Sequence, residues 1–150
     1  NPYKVLNHHG VWYLIAFCQM RQAMRTFAIN RICNLQITDE YFEIDKNFSI
    51  KDYLAKAFDL EHSGQYYQVR LKFTPYQARW IRERQWHPSQ KIEEFPDGSL
   101  ILSMEVQGLN ELRRWALYNG SHIEVLDPPE LKQMVVDEIK QMQAIYDKEE

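Results

Sequence analysis

The segment Tyr67-Gln68-Val69-Arg70-Leu71-Lys72-Phe73 alternates apolar and polar side chains without a break. Because successive side chains of a strand point to opposite faces, this alternation predicts a half-buried β-strand. Thr74-Pro75 follows at once and opens a predicted helix that runs to about Gln85, since proline is tolerated in the first helical turn. The segment therefore begins a strand–helix unit.

The residues after this unit predict further strands and another helix. Residues 88–95 predict an exposed edge strand, residues 96–99 (Pro-Asp-Gly-Ser) a hairpin turn, and residues 100–106 an alternating strand. An apolar stripe predicts a helix over residues 109–119, and residues 122–126 predict a last strand. The resulting order, βαββαβ, is the ferredoxin-like arrangement.

A long C-terminal helix is predicted after this domain. Asp127-Pro128-Pro129-Glu130 supplies a cap, prolines for the first turn and an acid three residues on. One face of the helix is apolar: Leu131, Met134, Val135, Ile139, Met142, Ile145 and Tyr146. This face either packs on its own domain or forms a surface between subunits. We assign residues 66–150 to this domain, with the polar segment 61–65 as linker.

The first third of the chain reads as strands. Residues 11–18 form a nearly continuous apolar and aromatic run, typical of a strand buried on both faces or closing a small barrel. Residues 3–6 are the expected hairpin partner, and residues 24–29 the expected third strand. Short strands at such close spacing favour a small β-barrel. Residues 50–58 predict a short helix, so the chain as a whole is an α+β protein with a first domain over residues 1–60.

The charge is distributed in blocks. The 150 residues carry a formal net charge of −3, which argues against a nucleic-acid binder when taken as an average. Residues 1–38, however, contain no Asp or Glu, and their charged residues are Lys4, Arg21, Arg25 and Arg31. One explanation is chance together with the low acid content of strands. The other, equally good, is that the segment forms a site that must not repel an anion. Both interpretations stay open.

No catalytic, metal-binding or cofactor-binding motif is present in the sequence. Cys18 and Cys33 lack a C-x-x-C partner, and the five histidines are scattered, so we predict free thiols, no metal site and no cofactor. The first residue is Asn rather than Met, so we expect the chain to be cut from something longer or to be processed. Without a signal peptide or a membrane-length apolar run, we predict a cytoplasmic protein that is not an enzyme.

Several motifs together resemble a known family. Trp12-Tyr13-Leu14, Arg25-Thr26-Phe27 and Arg31-Ile32 are similar, in type and spacing, to the WYL domain of bacterial transcriptional regulators. In the second half, the residues 109–115 (Leu-Asn-Glu-Leu-Arg-Arg-Trp) and 125–128 (Val-Leu-Asp-Pro) resemble the C-terminal extension that follows the WYL domain. The resemblance covers nearly the whole chain.

The resemblance implies an SH3/Sm-like barrel with a basic pocket for a nucleotide-like or nucleic-acid ligand. Residues 1–48 would be an incomplete barrel, and the family's N-terminal helix-turn-helix is absent from this chain. Arg25 and Arg31 match the arginines of the family's segment. Six residues separate them, nearly 20 Å on a straight strand, so they converge only if the chain bends, for which Asn30 is the expected place.

Further residues complete the expected site. Tyr13 can hydrogen-bond or stack on a ligand, and Arg21 either supplies positive charge to the site or lies in a solvated loop. We assign Trp12 and Leu14 to the core. Ala28 and Asn30 stand where the family often has a further basic residue and an acid, so the chemistry of the ligand is open.

The sequence thus predicts the effector-sensing and dimerisation portion of a transcriptional regulator. Its expected partners are an anionic ligand, duplex DNA through the absent helix-turn-helix, and a second copy in a homodimer, with no membrane. The alternative is a direct single-stranded RNA- or DNA-binding module that uses the ferredoxin-like sheet. Against it, the outward positions of the central strands carry no aromatic residue: they are Gln68, Arg70, Lys72, Ser103 and Glu105.

Overall fold

The computed structural model describes residues 1–147 and contains helix and sheet in equal share, 32% each, which confirms the α+β class. Contacts divide the chain into a first unit, Asn1–Leu54, and a second unit, Ala55–Glu150. The domain limits expected from the sequence, 1–60 and 66–150, stay predictions. Within the described residues, no helix is both long enough and apolar enough to cross a membrane.

The first unit is built on a three-stranded antiparallel sheet. Its strands are β1 (Pro2–His8), β2 (Val11–Cys18) and β3 (Ala23–Ala28), in the order β1-β2-β3. His9 and Gly10 join β1 to β2 with φ angles of 49° and 81°. A two-residue turn with both φ positive matches the right-handed twist of a hairpin, which explains a glycine at this position.

The chain after β3 turns and becomes largely irregular. Ile29–Arg31 forms one 3-10 turn, and the helix α1 covers Ile50–Leu54, with the Ser49 hydroxyl accepting a hydrogen bond from the Asp52 N–H at 3.2 Å. The expected helix over 50–58 is too long. The residues beyond 54 instead run beside a strand of the second unit, where Ala57 pairs with Gln107.

The second unit contains the predicted strand–helix–strand–strand–helix–strand order. Its elements are β4 (Tyr66–Phe73), α2 (Pro75–Ile81), β5 (Lys91–Glu94), β6 (Leu100–Gln107), α3 (Asn110–Asn119) and β7 (Ile123–Asp127). The strands form one antiparallel sheet in the order β5-β6-β4-β7. The helix expected to reach Gln85 ends at Ile81, and the indole N–H of Trp86 donates to the Ile81 carbonyl at 2.9 Å.

One face of this sheet forms the core. Fully buried side chains of β4 and β6 pack with those of the helices; the largest are Phe73, Leu71, Ile81, Leu100, Leu102, Leu112, Leu131, Val69 and Val106. The helix α4 (Pro129–Tyr146) contributes Leu131, with Met134 and Val135 partly buried against the same core. Asp127 does not cap α4, because its carboxylate accepts a hydrogen bond from Arg70 at 3.2 Å instead.

Two carboxylates fix the segment before β4 to the start of α3. The Glu111 carboxylate accepts hydrogen bonds from the backbone N–H groups of Asp59, Leu60 and Glu61 at 3.0–3.2 Å. The Glu61 carboxylate in turn accepts from the N–H groups of Asn110 and Glu111, at 2.9 and 3.2 Å. The first N–H groups of a helix lack partners within the helix, so Glu61 supplies the cap of α3. This end of the predicted linker is therefore anchored.

Candidate ligand-binding surface

Arg25 lies exposed in the middle of β3, on a sheet face with large apolar neighbours. It pairs with Ala16 across the strands, and the next pair on the same face is Leu14 with Phe27. Trp12 shares this face because it alternates with Leu14 along β2, and its side chain is 56% exposed. The expected core role of Trp12 is therefore wrong: its ring lies at the surface, on the face that carries Arg25.

Tyr13 lies on the other face of the same sheet. It pairs with Ala28 and is half-buried, with its ring 6.5 Å from that of His8. Since adjacent side chains of a strand point to opposite faces, Tyr13 and Arg25 are on opposite sides of the sheet. The structure does not bring these two expected ligand-binding residues together on one face.

Arg21 and Arg31 stand beyond opposite ends of β3. Arg21 is exposed in the loop between β2 and β3, whereas Arg31 is exposed in the 3-10 turn that follows β3. The six residues of β3 span roughly 20 Å. Arg21 and Arg31 lie beyond the two ends of this strand, with Arg25 between them. The 3-10 turn includes Asn30, so the structure bends where the sequence indicated.

Tyr53 of α1, which sequence reasoning missed, lies beside Thr26 of β3, on the sheet face opposite to Arg25. Its side chain is buried, and burial raises the pKa of the Tyr53 phenol, while the Thr26 hydroxyl and the positive charge of Arg25 oppose that shift. The phenol therefore stays protonated near neutral pH and can donate a hydrogen bond. No periodicity marked Tyr53, because a single aromatic residue in a five-residue helix carries no recognisable signal.

The Arg25 face presents an exposed guanidinium group beside the exposed rings of Trp12 and Phe27. Guanidinium groups bind phosphate and carboxylate through paired N–H donors, and aromatic faces beside them accept stacked rings. Within the described residues of either unit taken alone, no three His, Cys or carboxylate side chains converge on a position for a metal ion.

Comparisons with known proteins match both halves of the chain. The WYL domain family matches residues 1–37, and the WCX domain family matches residues 65–143. The chain is 26% identical over 159 residues to the uncharacterized HTH-type transcriptional regulator YobV of Bacillus subtilis (strain 168), covering 97% of this chain and 46% of that protein. The chain thus spans about half the length of this curated relative.

A solved structure is similar at lower identity. The proteasome accessory factor B/C (PafBC) of Arthrobacter aurescens matches with 17% identity and a TM-score of 0.41, over 90% of this chain and 20% of that one. The WCX match covers more than half of the chain. The WYL match covers β1, β2 and β3, the last of which contains Arg25. The chain therefore belongs to the WCX domain family, and its N-terminal residues 1–37 match the WYL domain.

Proposed function

We propose that this chain is the effector-sensing and dimerisation portion of a bacterial transcriptional regulator. Its first unit binds an anionic ligand, either nucleotide-like or a single-stranded nucleic acid, and its occupancy controls a helix-turn-helix domain that binds duplex DNA. The similarity to an HTH-type regulator more than twice as long supports this arrangement. We propose a binding module and no catalytic step.

We further propose the architecture that the family resemblance implies. The β1-β2-β3 sheet is part of an SH3/Sm-like barrel within residues 1–60, and residues 66–150 form a ferredoxin-like domain with a terminal helix. The sheet order β5-β6-β4-β7 supports the second assignment. In that topology the first and third strands lie at the centre of the sheet, as β4 and β6 do here.

The observation that carries the proposed ligand is the position of Arg25 in a segment without acids. Residues 1–38 contain no carboxylate side chain, and Arg25 lies exposed with Arg21 and Arg31 beyond either end of its strand. Such a row of guanidinium groups attracts a phosphate-containing ligand and binds it through charge-assisted hydrogen bonds. We assign Arg25, Arg31 and Arg21 to the ligand and leave Tyr13 out, because it lies on the other face.

A titration of the charge-reversed chain tests this assignment. The double variant Arg25→Glu with Arg31→Glu is compared with the wild type by fluorescence anisotropy, using labelled ATP and a labelled oligothymidylate at several salt concentrations. We expect ATP binding to be lost in the variant and to weaken with salt in the wild type. The matched control, Arg84→Glu with Lys91→Glu, changes the net charge equally at exposed positions of the second unit. Unchanged ATP binding in the first variant would remove the site assignment.

The proposed dimerisation surface is the exposed end of α4. Ile139, Met142, Ile145 and Tyr146 are 46–70% exposed on one helical face. Ile139 and Met142 also line an apolar groove of about 480 Å³ between α3, β7 and α4. Contiguous exposed apolar surface of this kind is typical of an interface.

Light scattering tests the dimer. We expect a dimer for the wild type and a monomer for Ile139→Glu with Met142→Glu, since two carboxylates cannot be buried unpaired in an apolar interface. Ala144→Glu, which adds a charge on the opposite face of α4, is expected to remain dimeric. A monomeric wild type at high concentration contradicts the proposal.

A further inference from the structure

The helix side of the second unit carries a cluster of exposed aromatic rings. Tyr76 of α2 lies 5.0 Å from Trp80 in an edge-to-face arrangement and 4.7 Å from the ring of His122, measured between ring centroids. His122 is held in place because its Nδ1 is 3.0 Å from the hydroxyl of Thr74, the residue before α2. Tyr118, near the end of α3, completes the cluster.

These rings surround an open cleft. Its volume is about 380 Å³, and its lining residues are Tyr76, Gln77, Trp80, Tyr118, Asn119 and His122. The side chains of Tyr76, Trp80 and Tyr118 are 53%, 42% and 86% exposed. Aromatic residues usually bury most of their large surface in a core or an interface. Three exposed rings around one cleft therefore indicate a surface that binds something.

The charge of the cluster defines what it binds. The guanidinium carbon of Arg79 lies 4.9 Å from the ring centroid of Tyr76 and 4.6 Å from that of Trp80, so a cation is held against both rings. Arg114 is exposed one helical turn before Tyr118 on α3. The rings are thus accompanied by two guanidinium groups.

No acid of these two helices balances that charge at the cluster. The sequence of α2, Pro75–Ile81, contains no Asp or Glu. The acid of α3 is Glu111 in its first turn, and its carboxylate accepts backbone N–H groups from Asp59, Leu60 and Glu61 at the opposite end of the helix from Tyr118. The cluster therefore suits a ligand that is aromatic and anionic at once.

We propose that this face of the second unit binds single-stranded nucleic acid. Unpaired bases stack on the rings of Tyr118 and Trp80, and Arg79 and Arg114 contact the backbone phosphates. Stacking of this kind is tolerant of sequence because every base has a π-face. The site is separate from the arginines of β3 and lies on residues of a different unit.

The sheet of the same unit is less suited to this role. Two pairs of its outward polar side chains already contact each other: the Gln68 amide donates to Glu105, and Arg70 forms an ion pair with Asp127 at 3.2 Å. The nucleic-acid alternative predicted from the sequence would use this sheet, but the only exposed aromatic ring of its central strands, β4 and β6, is Tyr66 at the start of β4. The exposed aromatics that such a module requires lie on the helices instead.

Anisotropy of a labelled 15-nucleotide oligothymidylate with the full 150-residue chain tests the proposal. We expect Tyr118→Ala to weaken binding about tenfold and Trp80→Ala to do the same, since each removes one stacked base. Tyr118→Trp, which keeps a ring, is expected to bind as the wild type does. Tyr66→Ala, which removes a half-exposed ring from the sheet, is the matched control and should leave binding unchanged.

The outcomes separate this site from the first unit. Binding that survives Arg25→Glu with Arg31→Glu and is lost with Tyr118→Ala supports the helix face, whatever the fate of ATP binding. Binding lost in the double variant and unchanged by Tyr118→Ala and Trp80→Ala overturns this proposal while supporting the first. Absence of oligothymidylate binding by the wild-type chain also overturns it, and leaves the rings to a protein partner.

Discussion

The two units differ in how much of their apolar surface they bury. Of the described residues in the first unit, the buried apolar side chains are Ile15, Ala16 and Tyr53. In the second unit, fourteen buried apolar residues form one continuous cluster beneath the sheet. Both units contain an antiparallel sheet, so the contrast lies in what covers it. The second unit has helices on one face, whereas the first has a single five-residue helix.

This difference gives the two units unequal hydrophobic stabilisation. Burying an apolar side chain stabilises a fold by about 1.5–3 kcal/mol, so the second unit gains far more from its core than the first. In the first unit, Trp12 and Phe27 remain at the surface beside Arg25. Residues exposed in this way are free to contact a ligand, at the expense of the core they would otherwise fill.

The largest expected effect comes from truncating a side chain in the core of the second unit. Leu102→Ala removes a fully buried side chain from the central strand β6 and should lower the free energy of unfolding by about 2–5 kcal/mol. Phe27→Ala in the first unit should cost about 1 kcal/mol or less, because its ring is 37% exposed. Urea unfolding followed by circular dichroism measures both.

Tryptophan fluorescence assigns each loss to its unit. Trp12 is the tryptophan of the first unit, and Trp80, Trp86 and Trp115 belong to the second. A Trp12→Phe background therefore reports the second unit alone. Equal losses for Leu102→Ala and Phe27→Ala would break the contrast between a buried core and a surface for recognition.

A smaller effect is expected where the backbone of the second unit passes close to Glu61. Gly108 has a φ of 77°, and a Cβ at this position would lie 2.6 Å from the Cγ of Glu61, whose carboxylate caps α3. Gly108→Ala should therefore destabilise the second unit by about 1–3 kcal/mol through backbone strain. Displacement of Glu61 from its capping position adds a further loss.

Gly64 provides the matched control for this substitution. Its φ is 81°, yet a Cβ there would meet nothing within 4 Å. Gly64→Ala thus introduces the same backbone strain without the clash. The difference between the two variants in urea unfolding measures the clash with Glu61, and equal losses would show that the Glu61 cap tolerates displacement.

The sequence predicted the second unit well because its patterns report directly on burial. The alternation from Tyr67 to Phe73 places one face in the core, and the structure buries Val69, Leu71 and Phe73. The first unit was predicted less well, since an apolar run such as residues 11–18 does not say which side becomes covered. Trp12 was assigned to the core for that reason, and the separation of Tyr13 from Arg25 needed the register of β2 and β3.

The aromatic cluster could not be predicted from the sequence, for a different reason. Tyr76 and Trp80 are four residues apart on one short helix, but His122 and Tyr118 come from more than thirty-five residues later. Their meeting depends on the crossing of helices over the sheet, which no local pattern encodes.

The smallest expected effect is a pH dependence confined to the second unit. His87 is 4% exposed, and burial lowers the pKa of its imidazole, with the carbonyl groups of Ala55 and Ala57 opposing that shift. Its Nδ1 lies 3.2 Å from the Ser89 backbone nitrogen and 2.8 Å from the Ser89 hydroxyl. In the unfolded chain the ring titrates near its ordinary pKa of about 6.5.

The lowered pKa of His87 determines whether stability rises or falls with pH. The unfolded state binds more protons than the folded state as pH falls below about 6.5, so the contribution of His87 is present above that pH and is lost as pH falls towards the folded pKa. The unfolding midpoint of the second unit should therefore decrease between pH 7.5 and 5.5. His87→Asn, whose Oδ1 can accept the same Ser89 N–H, should flatten that decrease whatever its effect on stability at pH 7.5. An equal slope in the variant would assign the pH dependence to other groups, His62 first, since burial lowers the pKa of that imidazole as well.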